Sequence, residues 1–286
     1  MGTETGERRN RRAQARWSAR GFGVGLIVPA LLIILWQVAA QRGWANPQML
    51  PSPQAVFERW LAYLRPAAPY DPAAGGWLHW ALSGELVGDA IGSLYRVVTG
   101  FAIGAALALP LGLAMGANRH VYAWMNPLIQ LLRPIPPIAY IPLSILWFGL
   151  GNPPAVFLIA LGAFFPVLIN TIAGVRQVDG IYLRAARNLG AGGLTLFVRV
   201  ILPAAVPYIL SGVRIGIGTA FIVVIVSEMI AVSNGLGFRI LEAREYFWSD
   251  KIMAGMISIG LIGLAIDVGV TRLNNHLLRW HRGLEN

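Results

Sequence analysis

A single uncharged stretch limits the folds open to this chain more than any other feature. From Pro134 to Val175 the sequence runs for 42 residues without an Asp, Glu, Lys or Arg. A helix crosses the hydrocarbon core of a bilayer with about 20 mostly apolar residues, so this stretch is too long for one crossing and suits two. The segment from Gly149 to Pro154 favours a turn between them, because it is rich in Gly, Asn and Pro.

The same length rule predicts an all-α membrane protein with about six transmembrane helices. The turn leaves only 15 residues for the crossing that precedes it. That helix must therefore begin near Tyr122, which places Arg133 inside the membrane. The predicted spans cover about 22–40, 90–117, 122–148, 155–175, 203–230 and 252–271.

The distribution of basic residues predicts the orientation of these spans. With the N-terminus inside, the cytoplasmic segments hold fourteen arginines and the outside segments hold six basic residues. Both termini should then be cytoplasmic, in a multi-pass protein of the bacterial inner (cytoplasmic) membrane. Residues 1–21 form a basic cytoplasmic tail, and 22–286 form one transmembrane domain with a periplasmic segment, 41–89, and a cytoplasmic loop, 176–202. A cleaved signal peptide is the alternative for the first span, but its 19 apolar residues favour an uncleaved helix.

Composition excludes several functions. The net charge is +10, yet the basic residues lie in the gaps between apolar runs and form no stripe for a nucleic acid. The four histidines lie in loops and tails without ligand spacing, and there is no cysteine, so neither a metal site nor an enzyme is expected. Lys251 is the only lysine and has no glycine beside it, which excludes a phosphate-binding loop. Energy for transport must come from a partner or from an ion gradient.

The loop 176–202, which we call the knob, contains two short amphipathic segments. Leu183, Ala186 and Leu189 recur at helical spacing, glycines interrupt the pattern, and a second apolar run leads to Pro203. Such a knob can bury its apolar face in the groove of a soluble partner. The alternative is a helix lying flat on the inner leaflet, which its arginines would also support.

The knob resembles a signature of the permeases of binding-protein-dependent ABC importers. That signature reads E-A-A, three residues, Gly, nine residues, then I-x-L-P. Ala185, Ala186 and Gly190 match it at the right spacing, and Leu202 and Pro203 match its end, where Val200 conservatively replaces the signature Ile. Arg184 replaces the signature Glu, so an ion pair made by that Glu cannot be assumed here.

The resemblance extends from about Ala90 to Gly283. Segments such as LLRPIPPIAYIPLSILWFGLG, LPAAVPYILSGVRIGIG and SEMIAVSNGLGF look like the nitrate/sulfonate/taurine/bicarbonate branch, and the RPIPP stretch resembles its taurine and alkanesulfonate members most. The resemblance implies a type I importer transmembrane domain that works as a dimer. It also implies two cytoplasmic ATPase subunits that grip the knob and hold the ATP and Mg, and a periplasmic substrate-binding protein. No cofactor is expected in this chain itself.

Polar residues at membrane depth are candidates for a substrate pathway, because burying them is costly. Arg133 precedes Pro134, Pro136 and Pro137, which break the helix and leave backbone groups free to line a cavity that includes Tyr140. An arginine fork suits planar or tetrahedral oxyanions. Asn170 and Glu228 are further candidates. Each of these polar residues can instead serve helix packing, Glu228 through a structural ion pair.

Two other functions and several substrates remain open from the sequence. A gradient-driven secondary transporter or channel usually shows broken helices in both halves, whereas only the segment from Arg133 to Pro142 is broken here. A sulfonate- or taurine-like solute is the expected cargo, with nitrate or bicarbonate as alternatives. A homodimer is the expected assembly, since it is the commonest oligomer.

Overall fold

The computed structural model describes residues 27–44, 46–66, 69–70 and 76–278, and within these ranges the chain is helical without β-strands. The all-α prediction is confirmed. The basic tail 1–21 and the start of the first predicted span lie outside the described residues. The helices are α1 (Ile27–Gln41), α2 (Pro53–Leu64), α3 (Trp77–Ala81), α4 (Glu85–Ala117), α5 (Arg119–Leu132), α6 (Ile141–Phe148), α7 (Asn152–Arg176), α8 (Gly180–Asn188), α9 (Gly193–Leu196), α10 (Leu202–Ala231), α11 (Leu236–Glu245) and α12 (Ser249–Leu277).

Among the described residues, four helical rods are long and apolar enough to cross a membrane. They are α4, α7, α12 and the continuous rod that α9, a π-helical turn at Phe197–Ile201 and α10 form from Gly193 to Ala231. These rods coincide with four of the six predicted spans. Helix α1 is apolar but has only 15 described residues, so its crossing stays a prediction.

The predicted span 122–148 is not one straight helix. Helix α5 and the segment Pro137–Phe148, which opens with a 3₁₀ turn, meet at an angle of 81°. The break falls at Arg133 to Pro136, where prolines remove backbone donors, and Pro136, which precedes Pro137, is extended with ψ 141°. The sequence therefore located the break, and the structure shows how sharply the chain turns there.

Helix α7 lies at the centre of the bundle, between α4 and α10. Glycines make the contact with α4 close: a Cβ at Gly104 would lie 2.4 Å from the carbonyl oxygen of Ala160, and one at Gly112 would lie 2.7 Å from Cβ of Thr171. Gly212 of α10 packs in the same way against Asn170. These glycines therefore serve packing within one chain.

Helix α2 lies at the edge of the bundle, and Phe57, Trp60, Leu61 and Leu64 recur along it at the spacing of an amphipathic helix. Ser52 caps it by accepting a hydrogen bond from the Ala55 amide, and a proline occupies the first turn. The helix buries Val56 and Tyr63, and it packs against α12, where Trp60 donates a hydrogen bond to Ser258 over 2.9 Å. Phe57 remains exposed.

Candidate partner-docking site and membrane ion pairs

The knob is a helix, a reversal and a rod that continues into the membrane. Asp179 begins α8 by accepting a hydrogen bond from the Ile181 amide over 2.8 Å. After Asn188 the chain reverses through Gly190, whose φ is +83°, and α9 then starts the 39-residue rod that ends at Ala231. A displacement of the knob is thus applied directly to the base of α10.

Gly190 is required by the geometry of that reversal. Its amide donates to the carbonyl of Arg187, and the Ala191 amide donates to the carbonyl of Ala186, which is a Schellman ending for α8. The position after the helix cap must then adopt a left-handed backbone, which glycine reaches without strain. The glycine of the signature therefore has a structural reason in this chain.

The structure divides the apolar face that the sequence predicted for α8. Leu183 and Ala186 are half-buried on the side where α8 packs against α9 and the π-helical turn, whereas Leu189 is 89% exposed. The outward face carries Ile181 and Tyr182, which sequence reasoning missed. The expectation of one face containing all three predicted residues is wrong, because the second segment of the knob covers only one side of α8.

The remaining residues of the predicted docking set occupy distinct places. Arg184 and Ala185 are exposed on α8, and the Arg184 side chain lies back over Gly180. Val200, Leu202 and Pro203 are half-buried where the π-helical turn passes into α10. A π-helical turn widens the helix by one residue and is often found at functional sites. In this chain it lies within the rod, between α9 and α10.

The four predicted pathway residues are not brought together. Arg133 is exposed at the break after α5 and has no ion-pair partner among the described residues, while Tyr140 is half-buried in the 3₁₀ turn that follows. Asn170 donates a hydrogen bond to the Pro166 carbonyl of its own helix over 2.8 Å. Glu228 is fully enclosed at the opposite end of the bundle from the knob. A role for these residues in substrate passage stays a prediction.

Glu228 belongs to a buried polar network. Its Oε1 accepts from Nη1 of Arg96 over 2.7 Å, and its Oε2 accepts from Ser93 and from the Gly237 amide, each over 2.9 Å. Arg96 also donates to Asn152 at the start of α7 over 2.7 Å and to the side chain of Asn234. The network joins α4, α7, α10 and the start of α11, which fold around it.

A second ionic cluster lies beside this network, and sequence reasoning missed it. Arg239 contacts Asp89, Glu85 and Glu242 at 2.8, 2.8 and 3.0 Å. Tyr63 donates to Asp89 over 2.8 Å, and burial together with that carboxylate raises the pKa of the Tyr63 hydroxyl above its ordinary value of 10.0. The residues come from α2, α4 and α11, which are distant in the sequence, so no local sequence pattern predicts the cluster.

Arg214 of α10 and Asp267 of α12 form a third ionic contact. Two hydrogen bonds from Nη2 of Arg214 reach the two carboxylate oxygens at 2.9 and 3.1 Å. Both side chains are about half-exposed in the isolated chain, at 48% and 54%. No group of three or more metal-ligating side chains with metal-site geometry occurs within the described ranges.

Comparison with known proteins gives these features a context. Residues 106–283 match the family described as binding-protein-dependent transport system inner membrane component. The chain is 34% identical to the taurine transport system permease protein TauC of Escherichia coli, with 95% of each chain covered. It is 33% identical to the bicarbonate transport system permease protein CmpB of Synechococcus elongatus, over 92% of this chain and 93% of that protein.

A solved structure shows the same fold at low sequence similarity. A chain of the MetNI methionine ABC transporter, in an inward-facing conformation, superposes with a TM-score of 0.61 at 17% identity. The match covers 68% of this chain and 97% of that one. This likeness concerns the fold alone.

Proposed function

Because the chain belongs to the family of binding-protein-dependent transport system inner membrane components, we propose that it forms a membrane pathway for a small anionic or zwitterionic solute. It is the permease subunit of an ABC importer, a multi-pass inner-membrane protein with the type I importer transmembrane fold, as the sequence predicted. It is not itself an enzyme: ATP hydrolysis belongs to a separate subunit, and a substrate-binding protein is a further partner.

The observation that carries the mechanism is the exposed apolar tip of the knob on a continuous membrane rod. Leu189 lies at that tip, and the rod from Gly193 reaches the level of Glu228. In the proposed mechanism two cytoplasmic ATPase subunits, which bind ATP and Mg, each grip one knob of a homodimer. Their closure moves α10 and alternates access to the pathway, with both termini of the chain cytoplasmic.

Gly190→Pro tests the coupling role of the knob. Proline fixes φ near −65°, whereas Gly190 has φ +83°, so this variant cannot form the reversal after α8. The readout is ATP hydrolysis by the complex reconstituted with the ATPase and binding protein of its own transport system. We expect substrate-loaded binding protein to stimulate wild type at least tenfold more than Gly190→Pro (~1.4 kcal/mol in coupling).

Gly190→Asn is the matched control, because asparagine tolerates a left-handed backbone and a Cβ here meets no atom within 4 Å. It should retain most of the stimulation. If Gly190→Pro couples as well as wild type, the knob does not transmit the signal. If the chain moves solute with no ATPase bound, a gradient-driven transporter or channel takes the place of the importer.

For the solute we propose a sulfonate- or taurine-like molecule, with nitrate and bicarbonate as the alternatives. The likeness to a taurine permease supports a sulfonate- or taurine-like solute, and the likeness to a bicarbonate permease supports bicarbonate as an alternative. Arg133 is exposed beside a broken helix and has no ion-pair partner within the described part of the chain, which supports an anionic group. Uptake of labelled taurine into proteoliposomes, with nitrate and bicarbonate as competitors, tests the class, and Arg133→Ala should reduce it while Arg119→Ala should not.

A further inference from the structure

The outward face of α8 is an apolar strip with a basic flank. Ile181, Tyr182 and Leu189 are all more than 60% exposed, and Ala185 lies between them along the helix. On an α-helix, Arg184 falls on the border of this strip, about one sixth of a turn from Ile181. A partner that covers the strip therefore also comes within reach of the Arg184 guanidinium.

The single carboxylate of the knob, Asp179, forms no ion pair with this flank among the described residues. The knob contains four arginines and one aspartate. Asp179 accepts the hydrogen bond that begins α8, and the Arg176 guanidinium lies 4.0 Å from the centre of the Tyr122 ring. Across the described ranges, Arg184 and Arg187 have no ion-pair partner, although like charges three residues apart on a helix repel each other.

Arg184 is therefore unexplained by the fold of its own chain. A cation in the last turn of a helix is favoured by the helix dipole, which accounts for Arg187, but Arg184 lies a turn earlier, at the position where the family signature has Glu. We propose that the ATPase subunit of this transporter receives the knob in an apolar groove with an acidic rim, and that a carboxylate of this rim pairs with Arg184.

This inference rests on the proposed function, since it assumes that the knob docks on an ATPase. It adds that this chain contributes a positive charge to the contact with the ATPase, where the signature Glu of relatives would contribute a negative one. A protein groove fits the strip better than the inner leaflet does. The helix is only nine residues long, and its three large outward side chains would bury little area in lipid, whereas a groove encloses them on several sides.

The test measures the affinity of the ATPase subunit for this chain in nanodiscs of zwitterionic lipid, at about 50 mM and about 500 mM salt. Arg184→Glu should weaken binding at least tenfold at low salt, because it replaces an attraction by a repulsion. Arg184→Ala should give a smaller loss, and in both variants added salt should weaken binding less than in wild type. Arg119→Glu makes the same change of charge at an exposed position outside the knob and should bind like wild type.

A compensating change completes the test. Each Asp or Glu of the ATPase rim is replaced by arginine in turn and combined with Arg184→Glu. The replacement at the carboxylate that pairs with Arg184 should restore binding. If Arg184→Glu binds within twofold of wild type while Leu189→Asp abolishes binding, docking stands and the acidic rim is wrong. If Leu189→Asp also binds normally, docking of the knob itself is wrong. If the Arg184→Glu effect appears only with anionic lipid, the arginine faces the leaflet and the inference is overturned.

Discussion

Arg96 of α4 and Glu228 of α10 form an ion pair 2.7 Å long, and only 3% and 0% of their side chains are exposed. The pair does not stand alone, since Ser93, Asn152, Asn234 and the Gly237 amide complete the hydrogen bonding of both groups. A buried ion pair repays its desolvation only when such additional partners are present. The network thus holds four segments together at the end of the bundle opposite the knob.

Glu228→Gln should destabilise the protein by about 3–5 kcal/mol, because it leaves the Arg96 charge buried without a counter-charge. The measurement is the free energy of unfolding in detergent, followed by tryptophan fluorescence. Asp250→Asn is the matched control, since Asp250 and its partner Arg59 lie outside the predicted spans and are 27% and 46% exposed, and it should cost about 1 kcal/mol or less. Equal losses in the two variants would show that burial does not set the strength of these pairs.

Gly104→Ala should destabilise the contact between α4 and α7 by about 1–3 kcal/mol, because the new Cβ would lie 2.4 Å from the Ala160 carbonyl oxygen. Gly88→Ala on the same helix meets no atom within 4 Å and should instead stabilise the chain by up to about 1 kcal/mol through helix propensity. Unfolding of the two variants under the same conditions checks both signs. A stabilised Gly104→Ala would mean that the helices can separate at no cost.

Local chemistry explains what the sequence could predict. The bounds of α2 follow from its cap and its apolar spacing, and the break after Arg133 follows from three prolines. Glycines recur at four-residue spacing in α4, at Gly100 and Gly104 and at Gly112 and Gly116, which predicts close helix packing but does not say whether the partner helix belongs to the same chain. The structure assigns that contact to α7.

Contacts between distant segments explain what the sequence could not predict. Arg96 and Glu228 are 132 residues apart, and the sequence around either residue does not identify the other as its partner. Asp89, Arg239 and Tyr63 meet for the same reason, only after α2 and α11 have folded onto α4. The outward face of α8 was misread because its buried face depends on where the second half of the knob packs.

Tyr63 should make stability fall at alkaline pH. Burial and Asp89 raise the pKa of its hydroxyl above 10.0, so above that pH the unfolded chain loses a proton that the folded chain keeps. The stabilisation is complete below pH 10 and is lost as the pH rises. Between about pH 9 and about pH 11 the free energy of unfolding should therefore fall more steeply in wild type than in Tyr63→Phe.

The neutral range provides the internal control for this variant. Between about pH 6 and about pH 8 the two proteins should differ by a constant of about 1–2 kcal/mol, the cost of leaving Asp89 without its hydroxyl donor. All other tyrosines are common to both proteins, so the difference in alkaline slope isolates Tyr63. Identical slopes would mean that this hydroxyl ionises as readily in the folded chain as in the unfolded one.

Phe247 occupies a backbone position that normally belongs to glycine. Its φ is +57°, its amide donates to the Arg244 carbonyl, and the Trp248 amide donates to the Ala243 carbonyl, which is the same Schellman ending that Gly190 provides for α8. A side chain in the left-handed region costs about 1–2 kcal/mol, and the Phe247 side chain is 81% exposed, so packing within the chain returns little of that cost.

Phe247→Gly should therefore stabilise the chain by about 1 kcal/mol in the same unfolding measurement. Tyr246→Gly is the control one residue earlier, where φ is −93° and glycine relieves no strain. It should destabilise the chain, since glycine only adds freedom to the unfolded state and removes the stacked contact of Tyr246 with Trp248. If Phe247→Gly is instead destabilising, the contacts of the exposed ring stabilise the chain by more than the strained backbone costs.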